Sequence, residues 1–162
     1  MSMDPERLPV AKGRQPRPAV LVVDDDRSTQ VLLEELLRRL DLEISLASDG
    51  AEGLRLADEK PFALVIADLR MPHVTGGEML RALELTRTRD AHRIVFSGAS
   101  EYIDRIAPPS LACARIPKPF DLRLFLEQVE RCLCETAVPH RRAGPSLPAD
   151  PVLNQQSGPV RP

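Results

Sequence analysis

The sequence predicts an α/β fold, a doubly wound five-stranded parallel sheet with helices on both faces. Three observations carry that prediction. Short β-branched runs, apolar throughout, recur along the chain, as strands buried on both faces require. Between them lie segments whose apolar residues repeat at helical spacing. Polar residues with chemical potential stand directly after several of the apolar runs, where open parallel sheets place their ligands.

The elements follow in order. Ala19 to Val23 is a wholly apolar strand, and three aspartates and Ser28 come after it. Leu33, Leu36, Leu37 and Leu40 then mark one face of an amphipathic helix. Glu43 to Ala47 alternates as a second strand, Asp49-Gly50 turns, and Ala51, Leu54 and Ala57 give a helical stripe that Pro61 closes. Phe62 to Ala67 is the clearest buried strand, with Asp68 at its end. After a loop containing Met71-Pro72 and Gly76-Gly77, the residues Met79, Leu80 and Leu83 predict a helix to about Arg87. Arg93 to Phe96 reads as the fourth strand, ending at Ser97-Gly98. A short helix from Ser100 to Ala107 is stopped by Pro108-Pro109. Ala114 to Ile116 is a brief fifth strand, followed by Lys118-Pro119. Leu122, Phe125, Leu126, Val129 and Leu133 line the last helix.

Composition bounds the function. The chain has 162 residues, 43% hydrophobic and 28% charged, with a net charge of −2. That balance disfavours nucleic acid as a partner, because phosphate neutralisation needs surplus Lys and Arg. No apolar run approaches the roughly 18 residues a membrane span needs, and no secretory leader is visible, so a cytoplasmic location and no membrane partner are expected. Three cysteines without C-x-x-C spacing argue against a disulfide framework or a zinc site, and Cys113 reads as a small packed residue. Ten of the sixteen prolines fall in residues 1–18 and 135–162. Those segments read as disordered arms around a folded unit at 19–134.

Asp24, Asp25 and Asp26 follow the first strand, Asp68 the third, Ser97 the fourth and Lys118 the fifth. Carboxylates gathered about 4–5 Å apart repel by roughly 3–4 kcal/mol per pair at an effective dielectric near 20. A hard divalent cation such as Mg²⁺ relieves this, and an ammonium and a hydroxyl nearby suit phosphoryl oxygens. An aspartate between metal and lysine can act as nucleophile and form an aspartyl phosphate. Asp26 reads as a helix cap rather than a ligand, and His73 as a loop-surface residue.

The motifs Val-Val-Asp-Asp at 22–25, Ile-Ala-Asp-Leu-Arg-Met-Pro at 66–72, Phe-Ser-Gly-Ala at 96–99 and Ile-Pro-Lys-Pro-Phe at 116–120 resemble the receiver domain of two-component response regulators. The resemblance covers residues 19–134 and implies the flavodoxin-like receiver fold. It implies a phosphoacceptor at Asp68, with Mg²⁺ held by Asp24, Asp25, Asp68 and the backbone carbonyl of Arg70. Lys118 would pair with the phosphoryl group and Ser97 would move toward it. The implied role is phosphorelay signalling rather than enzymatic turnover. A histidine kinase or phosphotransfer protein would be the donor. An unknown protein target would dock on the face made by the helix at 100–107, the fifth strand and the last helix; a homodimer is left open.

No helix-turn-helix or second catalytic domain is visible, so the chain resembles a single-domain regulator. One departure stands out: Arg115 occupies the position, three residues before the lysine, where receivers commonly carry Tyr or Phe. A buried unpaired cation is costly, so Arg115 is expected to point outward, toward a partner or toward Glu101 or Asp104. Two alternatives are weighed against this reading. One is a pseudo-receiver that docks without phosphorylation. The other is a haloacid-dehalogenase-type phosphatase with Asp24 as nucleophile and Asp26 as general acid.

Overall fold

The computed structural model describes residues 16–98, 107 and 110–136. Five strands form one parallel sheet: β1 (Ala19–Val23), β2 (Glu43–Ala47), β3 (Leu64–Asp68), β4 (His92–Ser97) and β5 (Ala114–Pro117). Their order is β2-β1-β3-β4-β5. The direction of winding reverses between β1 and β3, which creates a switch point at their carboxyl ends. The helices are α1 (Arg27–Leu37), α2 (Gly50–Glu59), α3 (Gly76–Ala82) and α4 (Leu122–Thr136).

Side-chain alternation along the strands sorts the core into two layers. Val20, Val22, Leu64, Ile66, Ile94 and Phe96 pack with Leu33 and Leu37 of α1 and with Phe125 and Val129 of α4. Leu21, Val23, Val65, Ala67 and Val95 face the other way, against Ala57 of α2 and Met79 and Leu80 of α3. All five residues of β3 are buried, which is why its sequence shows no polar alternation.

Two of the departures from the expected boundaries have a visible cause. Phe62 is buried but lies outside β3, because its N–H donates to the Thr88 hydroxyl (3.3 Å) and not to a neighbouring strand. Helix α3 gives way to a single 3₁₀ turn at Leu83–Leu85, short of Arg87. There Thr86 ends the helix, its backbone N–H and its hydroxyl both donating to the Leu83 carbonyl. The expected short helix at 100–107 falls largely outside the described residues, as do most of the two arms. Among the described residues no helix is long and apolar enough to cross a membrane.

Candidate functional site

Asp24 follows β1 directly, and Asp68 is the last residue of β3, the neighbouring strand. The parallel pairing of Val23 with Ala67 therefore sets the two carboxylates side by side at the switch point. Asp24 is 1% exposed and Asp68 is 7% exposed, whereas Asp25 faces solvent. One carboxylate oxygen from each of the three lies within 4.8 Å of the others. Lys118 arrives from the end of β5 and donates to Asp24 Oδ2 (3.0 Å) and Asp68 Oδ2 (2.7 Å). Its ammonium also lies 5.8 Å from the centre of the Phe96 ring.

Local structure holds each carboxylate. The Asp26 N–H donates to Asp24 Oδ1 (2.9 Å), and the Arg70 N–H donates to Asp68 Oδ1 (3.0 Å). Asp26 itself caps α1, accepting from the Ser28 N–H (2.9 Å) and the Thr29 hydroxyl (2.8 Å). These bonds hold its carboxyl below the usual range, the Thr29 hydroxyl contributing most. With both Asp26 oxygens committed to the cap, the phosphatase reading has no general acid. His73 is an exposed loop residue with φ 67°, as expected of a surface position.

The loop after β3 is anchored by a reciprocal Thr75–Glu78 capping box at the start of α3. Gly76 lies so close to the strand end that a Cβ there would sit 2.3 Å from the Asp68 carbonyl oxygen. Any other residue at 76 would push the acidic loop outward.

The charges are not balanced. Among the described residues, three carboxylates face one ammonium, which leaves two negative charges uncompensated. Burial pushes the Asp24 carboxyl up from its ordinary value, and the nearby Asp68 charge adds to this against the Asp26 N–H and Lys118. Burial works against the charge on Lys118, but hydrogen bonds to Asp68 and Asp24 outweigh it and hold the ammonium above the ordinary lysine range.

The expected convergence thus holds for Asp24, Asp25, Asp68 and Lys118. Ser97 ends β4, in register with Pro117, one residue past the partner of Asp68; its side chain lies outside the described set. Arg70 stands two residues beyond Asp68, with its guanidinium against the backbone of Gly98. Arg115 is half-buried and lines a hollow of about 520 Å³ with Ile116, Phe120 and Leu124. Its expected partners Glu101 and Asp104 lie outside the described residues. One positioning residue escaped the sequence reading. Gln30 is buried, and its amide donates to the carbonyls of Asp24 (2.8 Å) and Ala47 (2.9 Å), tying the ends of β1 and β2 together. Its signal was a polar residue in phase with Leu33 and Leu37 on the buried stripe of α1.

The site is an acidic pocket bridged by lysine at the switch point of a 2-1-3-4-5 sheet. A family model described as response regulator receiver domain matches residues 20–130, and the chain belongs to that family. It is 37% identical over 117 residues to the transcriptional regulatory protein PrrA of Mycobacterium leprae, covering 72% of this chain and 50% of the relative. The chain therefore spans about half the length of that relative. A CheY-like receiver domain from Methanospirillum hungatei JF-1 superposes with TM-score 0.70 and 27% identity, over 75% of this chain and 98% of that one. The receiver domain of sensor histidine kinase PA1611 from Pseudomonas aeruginosa PAO1, described with a magnesium ion in its active-site cleft, shares the fold. Its TM-score is 0.65 at 21% identity, over 74% of this chain and 99% of that one.

Proposed function

We propose that this receiver domain accepts a phosphoryl group on Asp68 and relays it as a change in protein contacts. The observation that supports this best is the ammonium of Lys118 bridging the buried carboxylates of Asp24 and Asp68, with Asp25 open to solvent beside them. A phosphohistidine on a histidine kinase or phosphotransfer protein is the donor. An Asp68 oxygen forms the new O–P bond while the donor's P–N bond breaks, and the electron pair leaves with the donor imidazole. Before that, Arg70 N–H and Lys118 grip one Asp68 oxygen each, so the carboxylate is oriented in advance. Lys118 remains charged at neutral pH and is placed to follow negative charge onto the phosphoryl oxygens. Ser97, at the end of the strand beside Asp68, supplies the hydroxyl for a further phosphoryl oxygen.

The donor set fits Mg²⁺: hard oxygen ligands, two buried and one open, with two negative charges uncompensated. Asp24, Asp25, Asp68 and the Arg70 carbonyl would hold it. When bound, Mg²⁺ supplies the charge neutralisation that lets a dianionic phosphoryl group approach three carboxylates.

Residues 19–134 are the working unit of this proposal, acting in the cytoplasm. Its output surface includes the hollow between β5 and α4, which Arg115 and Leu124 line. The test is intact mass after incubation with a small phosphodonor and Mg²⁺. Wild type gains one phosphoryl group, and Asp68→Asn does not. Labelling of Asp68→Asn as efficient as wild type, or labelling of wild type undiminished in excess EDTA, refutes the assignment.

A further inference from the structure

At the opposite end of the sheet a second cluster has formed. His92 opens β4, Cys113 immediately precedes β5, and Cys132 lies on α4. The Cys113 N–H donates to the Arg93 carbonyl (2.9 Å), which draws the residue against the start of β4. Its Sγ sits 3.3 Å from Cys132 Sγ and accepts from the Arg93 N–H at 3.3 Å. One donor atom each from His92, Cys113 and Cys132 lies within 4.8 Å of the other two. Cys113 is exposed and Cys132 is buried, so the expectation of a packed Cys113 is corrected. Nineteen positions separate the two thiols along the chain, so local spacing gives no sign of the contact.

We propose that Cys113 and Cys132 form an oxidation site, a dithiol that a hydroperoxide closes to a disulfide between the entry of β5 and α4. Three features support it. The accessible thiol and the buried thiol are already in contact, and closing to the roughly 2.05 Å of a disulfide needs only a small approach. The hydrogen bond from Cys132 is the largest influence drawing the Cys113 thiol down to about 5; burial opposes it, while His92 and the Arg93 N–H reinforce it. An accessible thiol drawn toward its thiolate, beside a resolving thiol, is the arrangement that peroxide-sensing cysteines require. Zinc would use the same atoms, but tetrahedral Zn–S bonds of about 2.3 Å would hold two thiolates about 3.8 Å apart. The sulfurs here are closer, at 3.3 Å.

Cys113 sulfur attacks the terminal oxygen of the hydroperoxide and the O–O bond breaks. The leaving alkoxide takes a proton, and Cys113 becomes a sulfenic acid. Cys132 sulfur then attacks Cys113 sulfur, the S–O bond breaks, and hydroxide leaves as water with the Cys132 proton. Two thiols are oxidised by two electrons, and the hydroperoxide is reduced to alcohol and water. The crosslink encloses Lys118 and the whole of β5, so it clamps the segment that joins the phosphoacceptor pocket to the β5–α4 hollow.

The test uses the full chain, reduced and then exposed to hydrogen peroxide, with tandem mass spectrometry under non-reducing conditions. The expected product is monomeric, lighter by two hydrogens, crosslinked between Cys113 and Cys132, and restored by dithiothreitol. Cys134→Ser gives the same product, and Cys113→Ser gives none. Cys132→Ser stops at a sulfenic acid on Cys113 that dimedone traps. Because Cys132 lies in the core, the wild-type crosslink map decides the matter if that variant folds poorly. A crosslink through Cys134, oxidation only between molecules, or stoichiometric zinc that shields both thiols from peroxide overturns the proposal. None of these outcomes bears on Asp68 labelling, which is read separately.

Discussion

Replacing Asp24 by Asn should stabilise the metal-free protein while weakening its response to Mg²⁺. Asp24 lies within 4.8 Å of Asp68, a repulsion of at least about 3.5 kcal/mol at an effective dielectric of 20. Lys118 at 3.0 Å returns about 5.5 kcal/mol on the same scale. The Coulomb balance alone therefore favours the charge by about 2 kcal/mol, before the exposed and screened Asp25 subtracts from it. Against this stands burial of an ionised carboxylate that is 1% exposed, which costs several kcal/mol. Burial wins, as the raised Asp24 carboxyl shows. Asn keeps an oxygen for the Asp26 N–H, and Lys118 keeps Asp68, so little else is lost. A net gain of about 1–2 kcal/mol follows, or roughly 4–8 °C in Tm for a domain of this size. A group whose folded pKa is raised favours the native state below that pKa, and the benefit is lost as pH rises through it. The advantage of Asp24→Asn is accordingly largest near neutrality and shrinks toward acid. Thermal melts in EDTA, followed by titration with Mg²⁺, provide the assay. Wild type should gain about 2.7 kcal/mol at a hundredfold excess over Kd and overtake the variant. A variant that melts below wild type in EDTA, or that gains as much from Mg²⁺, refutes the reasoning.

Other consequences can be checked with the same material. The Arg93 guanidinium is fully buried, donating to Glu84 (2.5 Å) and to the Arg89 carbonyl (3.0 Å), while its Nε–H finds no acceptor among the described residues. Glu84→Ala should cost about 2–3 kcal/mol, discounted because Glu84 is half-exposed, whereas Arg93→Met should stay within about 1 kcal/mol of wild type; urea midpoints in the opposite order refute this. Cys113, faced by Cys132, His92 and the Arg93 backbone, is pulled down to about 5, so its alkylation rate should be nearly flat from about pH 6 to 8. Glutathione should speed up about tenfold per pH unit over that span, and a parallel rise at Cys113 would show that no stabilised thiolate exists. Arg115→Ala should leave the rate of Asp68 phosphorylation within about twofold, since Arg115 lines the β5–α4 hollow and not the acidic pocket; a block at the labelling step would place it in the acceptor chemistry instead.

What the sequence disclosed, and what it withheld, follows from the range of the interactions. Strands β1 and β3 were legible because burial on both faces removes every polar residue, and Asp24 and Asp68 were legible because each breaks such a run. Lys118 could be placed because a parallel sheet carries every strand end to one edge, so position in the chain becomes position in space. The end of α3 was misjudged because Thr86 stops it with a side-chain bond that competes with the helix, a contest periodicity does not register. Gln30 was missed because its partners, the carbonyls of Asp24 and Ala47, are backbone groups and leave no residue signature. Cys113 and Cys132 were missed for the converse reason. Local spacing showed no pair among the three cysteines, but the contact that matters joins the residue before β5 to α4. The same parallel topology explains both ends. It gathers the strand exits into a hard, anionic pocket, and it brings the entries of β4 and β5 against α4, where the soft sulfur pair sits. Both are anchored to β5 and its flanks, through Lys118 at one end and Cys113 at the other. A strand of four residues is thus held at each end by chemistry of a different kind, which makes β5 the element through which either chemical event would reach the hollow lined by Arg115.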